Sequence, residues 1–161
     1  MDVIGEFTNL AAAIVDGPEN WMPGMFDSPA GQITELFANT SLGRVSRHVR
    51  VELGRASRHN GTAVVPIRWH ALDSTELFPV FDGRLRLRRR AQGGARLFIE
   101  GHYRPPGGAV GMTIDALAMR DIAEATVDDF VHRVAGVLAR NALARTVARQ
   151  VAARTLTMDA D

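Results

Sequence analysis

The chain has 161 residues, 46% hydrophobic and 23% charged, with no cysteine, so disulfides and thiolate metal sites are excluded. That length suits a single domain whose core buries about two thirds of the unfolded surface. All 19 basic side chains are arginine and the net charge is only +1, so neither a polybasic nucleic-acid binder nor an acidic tail is indicated by the total.

The distribution of charge says more. Residues 1–43 carry Asp2, Glu6, Asp16, Glu19, Asp27 and Glu35 without a base, whereas residues 44–104 hold 13 arginines against 5 acids. The acidic arm is expected to pack near the basic middle, in its own subunit or in a partner's, which makes a homodimer through the N-terminal arm the expected assembly if there is one. The opening MDVIGEFTNLAAAIVDG has no base ahead of its apolar run and carries acids within it, unlike a signal peptide. No apolar stretch reaches the roughly 20 residues that cross a bilayer, so the expectation is a cytoplasmic protein with no stable membrane insertion.

In chain order, Phe7, Leu10, Ala11, Ile14 and Val15 have helical spacing, and Asp16-Gly17-Pro18 stops the pattern. Trp21, Met22, Met25 and Phe26 then crowd a loop broken by Pro23 and Gly24, and so many large apolar groups need a cover. Ser28-Pro29 opens a second expected short helix with Ile33, Leu36 and Phe37 on one side, ending at Asn39 to Gly43. From Arg44 the period becomes two. Val45, Val49, Val51 and Leu53 share one phase, Asn60-Gly61 marks a turn, and Val65, Ile67, Trp69 and Ala71 repeat the pattern. Pro66 cannot donate a ladder hydrogen bond, which predicts an edge or a bulge at that point.

Leu85 and Leu87 alternate with Arg84, Arg86 and Arg88, and after Gly93-Gly94 Leu97, Ile99 and Tyr103 alternate with Arg96, Glu100 and His102. Strands joined by short turns make an antiparallel meander with one apolar face. Residues 105–112, with Pro105-Pro106-Gly107-Gly108, form a hinge, and Thr113 with Asp115 suits a helix start. Val127, Phe130, Val131, Val134 and Leu138 then follow the spacing of one helical face, extending to about Arg154 or breaking near Asn141. The fold class read from this is α+β: a curved antiparallel sheet over residues 44–104 wrapped around a long C-terminal helix over 113–154, with two short N-terminal helices in residues 1–43.

Arg68-Trp69, Phe78-Pro79, Asp82-Gly83, and Gly101-x-Tyr103-x-Pro105-Pro106-x-Gly108-x-x-Gly111, followed by Asp115, Ala123, Ala125-Thr126 and Phe130, resemble actinobacterial members of the SRPBCC superfamily. This helix-grip group includes START domains, polyketide cyclases and pollen-allergen relatives. The likeness covers roughly residues 44–140. It implies a hydrophobic cavity between sheet and long helix that accepts lipids, polyketides or other apolar molecules. The N-terminus departs from that pattern, since only Asp2 to Phe7 could supply the family's first strand.

Competing signals are weaker in chemistry. Gly107 to Gly111 lies between strand and helix as a dinucleotide loop would, but two prolines precede it and the sheet reads antiparallel. The Arg84 to Arg90 run alternates with leucines and has no aromatic stacking platform beside it, so it reads as a solvated face and no nucleic-acid partner is expected. His48, His70 and His102 share a polar phase but lack ligand spacing, so no metal and no cofactor are expected. The expected ligand-binding set is Trp69, Leu85, Leu87, Ile99, Tyr103, Phe130 and Val134, with Arg47, on the apolar phase of its strand, fixing a polar end beside Tyr103. The partner so implied is a hydrophobic or amphipathic small molecule. A cyclase- or aromatase-like enzyme using Tyr103, His70 or Arg47, and an interaction protein docking through the N-terminal arm, are the alternatives, and the residues name no catalytic group.

Overall fold

The structure, a computed structural model, describes residues 1–15, 33–40, 43–72, 80–104 and 116–158. Seven strands and two helices run in the order β1 (Asp2–Val3), α1 (Phe7–Val15), β2 (Ile33–Thr40), β3 (Gly43–Leu53), β4 (Ser57–His59), β5 (Thr62–Ala71), β6 (Val80–Arg89), β7 (Ala95–Arg104) and α2 (Ala116–Met158). The strands form one antiparallel sheet in the order β1-β7-β6-β5-β3-β2, with β4 pairing β5, curled into a half-barrel. The long helix α2 contacts β2 at one edge and both β1 and β7 at the other, so it lies across the opening of the curl. This α+β arrangement is consistent with a helix-grip.

Alternation places the core. Val49 and Val51 of β3, Ala63 to Ala71 of β5, Phe81, Leu85 and Leu87 of β6, and Ala95 and Leu97 of β7 are buried at every second position. Phe130, Val134 and Leu138 of α2 meet them from the other side, joined by Leu10 and Ile14 of α1. Burying each such side chain contributes about 1.5–3 kcal/mol. The intervening arginines, among them Arg84 and Arg88, stay exposed on the convex face, as their alternation with leucine requires. No helix among the described residues is long and apolar enough to cross a membrane.

The sequence expectation fails in one element. Residues 33–40 form strand β2 and not a second helix, so α1 is the one N-terminal helix among the described residues. Eight register pairs, from Ile33 with Arg50 to Thr40 with Gly43, tie β2 to β3, and this non-local pairing overrides the helix-like spacing of Ile33, Leu36 and Phe37. At the N-terminus, where only Asp2 to Phe7 could supply a strand, a two-residue strand forms, Asp2–Val3 against Arg96 and Ala95. Asp2 also bridges the guanidinium groups of Arg90 at 2.7 Å and Arg96 at 3.2 Å, which joins the acidic N-terminus to the basic middle at this residue. The hydrogen bond from Arg96, with the charges of both arginines, holds its carboxyl below the ordinary value of 3.8 against a desolvation that acts the other way.

A turn, a proline and a pair of glycines explain how the sheet bends. Asn60 and Gly61 both have positive φ, 45° and 72°, the backbone that a tight β4–β5 hairpin needs. Pro66 lies in the inner strand β5, where the Gly54 amide donates to the Pro66 carbonyl at 2.9 Å. The missing Pro66 N–H lies on that same side of the strand, at the gap where β3 ends and β4 begins, so the lost ladder bond coincides with a break in pairing. The third device is a cross-strand pair of glycines, Gly83 of β6 opposite Gly101 of β7. A Cβ on Gly101 would stand 2.5 Å from both the Phe81 ring and the Asp82 carbonyl, so the ring lies directly against bare backbone. Gly101→Ala is therefore expected to destabilise the fold by about 3 kcal/mol, with a matching drop in the urea midpoint.

Candidate functional site

The sheet's inner face is organised around Trp69. Its ring stacks on Phe81 from the neighbouring strand at 4.1 Å between centroids and 21° between planes. Phe130 of α2 reaches it at 5.3 Å, and Tyr103 stands 5.1 Å from Phe81 and edge-on to Trp69 at 6.4 Å. Such aromatic contacts add about 0.5–1.5 kcal/mol each beyond their area. The indole Nε1 is buried without an acceptor, an unmet bond worth about 1–3 kcal/mol.

Tyr103 ties the sheet to the helix. Its hydroxyl donates to the Ala123 carbonyl of α2 at 2.9 Å, so its proton is committed and only its oxygen lone pairs remain to accept a bond. Burial pushes the phenol well above its ordinary value of 10.0, which rules out a phenolate base near neutral pH. On the opposite edge Arg133 of α2 donates to the Glu35 carbonyl of β2 at 2.6 Å and pairs with Asp129 at 3.1 Å. The helix is thus fastened at both margins of the curl by polar contacts and in the middle by aromatic ones.

The expected ligand set divides on this geometry. Trp69, Leu85, Leu87, Phe130 and Val134 are each 0% exposed and pack as core. Ile99 and Tyr103 are half-buried and line an open cleft of about 350 Å³ between β7 and the first half of α2. Phe81, Val127 and Val131 complete its apolar lining, and Glu124 and Asp128 stand among its lining residues. Val127 and Val131 already belonged to the apolar helical face in the sequence. Glu124 and Asp128 sit one turn apart beside them, a spacing that marks them as neighbours but not as part of a site. Arg47 pairs through its backbone with Leu36, and its side chain lies outside the described part of the structure, as do Trp21 to Phe26 and the 105–112 hinge.

The histidines do not converge. His48, His70 and His102 lie on the outer-face phase of β3, β5 and β7, opposite Glu35, Arg50 and Asp82 respectively, with β6 between the last two strands. Among the described residues no group of three or more His, Asp or Glu is placed to hold a metal ion. The chain matches no family model, no curated protein and no solved structure.

Tyr103 is the chain's single tyrosine, so its ionisation can be followed by absorbance without interference. Its raised folded-state value favours the neutral phenol in the fold, so the stability it contributes is complete below pH 10 and is lost as pH rises beyond that through the folded value. The native protein should show no phenolate absorbance at pH 10, and Tyr103→Phe should remove the alkaline part of the stability loss while costing about 1 kcal/mol at pH 7.

Proposed function

We propose that this chain binds an apolar or amphipathic small molecule, of the size of a short lipid or a polyketide fragment, in the cleft between β7 and α2. The observation that carries this reading is the cleft itself: about 350 Å³ of open space lined by Phe81, Ile99, Tyr103, Val127 and Val131. A volume of this size falls at the lower end of small-molecule sites. Desolvating the ligand against these side chains supplies the affinity, at about 25 cal/mol per Å² of apolar surface covered. Glu124 and Asp128 at the cleft favour a ligand whose polar end is cationic or a hydrogen-bond donor. The Tyr103 oxygen can accept one further bond from that end. This departs from a role for Tyr103 as donor, because its proton already serves Ala123.

Binding is measured with the neutral fluorophore N-phenyl-1-naphthylamine, read by its own emission and by quenching of tryptophan. Saturable binding is expected, with dodecylamine displacing the probe at lower concentration than dodecanoate. Val127→Trp, which fills the cleft from the helix side, should weaken probe binding at least about tenfold, equivalent to about 1.4 kcal/mol. Non-saturable binding, or Val127→Trp leaving the titration unchanged while the far-ultraviolet circular dichroism stays native, would overturn the reading.

A further inference from the structure

Helix α2 is 43 residues long, about 65 Å at 1.5 Å per residue, whereas the longest strand has 11 residues and spans about 36 Å. Its gripping face, through Ala123, Phe130, Val134 and Leu138, is buried against the sheet. A second face runs along the outside. Ala125, Gly136, Leu143 and Val147 lie on it, at spacings of 11, 7 and 4 residues, close to three, two and one helical turns. Ala125 and Gly136 are half-buried, while Leu143 and Val147 are 66% and 50% exposed. Large apolar side chains are rarely left so open on successive turns without a use.

The charges beside this ridge are segregated. Before Gly136 stand four acids, Asp121, Glu124, Asp128 and Asp129, against Arg120 and Arg133; from Phe130 to Met158 there is no acid at all, and Arg140, Arg145, Arg149 and Arg154 follow in turn. A helix that is acidic in one half and basic in the other is complementary to itself when a second copy lies antiparallel. Size is complementary in the same sense. The small residue Ala125 falls in the acidic half and the large residues Leu143 and Val147 in the basic half, and Gly136, which has no side chain, falls between them. Glycine inside a helix costs about 1 kcal/mol relative to alanine, and at a crossing it lets two backbones approach closely.

We propose that α2 is a self-association surface on which two copies pair antiparallel, crossing at Gly136. In that register Val147 of each copy covers Ala125 of the other, Leu143 falls opposite Asp129, and Arg140 falls opposite the partner's His132, one turn from the Asp128 that His132 contacts at 3.4 Å. A parallel pairing would set Asp121 and Asp128 against themselves and Arg140 against itself, and like charges in contact oppose it. The symmetric contact is isologous, so each favourable pair occurs twice. This surface meets the small-molecule cleft at Asp128, which lines both.

The absence of cysteine makes the register directly testable in the full chain. Ala125→Cys and Val147→Cys proteins are mixed and oxidised by diamide, and a disulfide-linked heterodimer is expected well above either homodimer. Light scattering should give a dimer for the parent chain and a monomer for Val147→Glu with native far-ultraviolet circular dichroism, since Val147 is 50% exposed and lies outside the buried core cluster. Arg140→Glu should weaken the dimer at least about tenfold, and adding Asp128→Arg to it should restore at least part of that loss. A monomeric parent chain, Ala125→Cys linking chiefly to itself, or a dimer that survives Val147→Glu would each overturn the proposal.

Discussion

The contact between Gly83 and Gly101 is the constraint on which the rest of the molecule depends. Because neither residue has a Cβ, β6 and β7 leave room for the Phe81 ring to lie flat on backbone. That ring in turn supports the indole of Trp69, and the indole receives Phe130 from the helix. Tyr103, opposite Phe81 in the ladder, is brought within reach of the Ala123 carbonyl by the same arrangement. Two missing methyl groups therefore determine where the helix lands. Gly101, Val127 and Val131 all line the cleft on the β7 side.

The parts of the fold that were legible in the sequence are those whose cause is local. Strands β5, β6 and β7 alternate apolar and polar residues, and Asn60-Gly61 forms the turn that its dipeptide favours. Strand β2 was read as a helix because Ile33, Leu36 and Phe37 lack a period of two, and what makes it a strand is its pairing with β3, a tertiary fact. Pro66 reads in the sequence as an edge or a bulge, whereas β5 is an inner strand between β6 and β3. That the interruption is shared between two different neighbours of one inner strand follows only from the topology.

The site was legible to the same limited depth. Alternation identifies which side chains face inward, so Trp69, Leu85, Leu87, Ile99, Tyr103, Phe130 and Val134 were all placed on the correct side of the sheet or helix. It does not say how tightly they pack, and only Ile99 and Tyr103 of the set reach the cleft. Tyr103 shows why chemistry needs coordinates. A buried phenol needs a partner, and the hydroxyl proton of Tyr103 goes to a helix carbonyl twenty residues along the chain.

The charge order of α2 looks at first like an adjustment to the helix dipole, with acids early and arginines late. The dipole acts within the first and last turns, and here neither an acid in the first turn nor a base in the last is present. Asp121 to Asp129 lie from the second turn onward, and Arg140 stands about five turns before the end at Met158. Surface salt bridges along one helix account for Arg133 with Asp129, one turn apart, but cannot join acids to arginines ten or twenty residues away. The two blocks of charge lie too far from the helix ends to serve the dipole, and within the chain Asp128 and Asp129 are met by His132 and Arg133, one turn on. They lie at the distances at which a second helix, running the opposite way, brings them together.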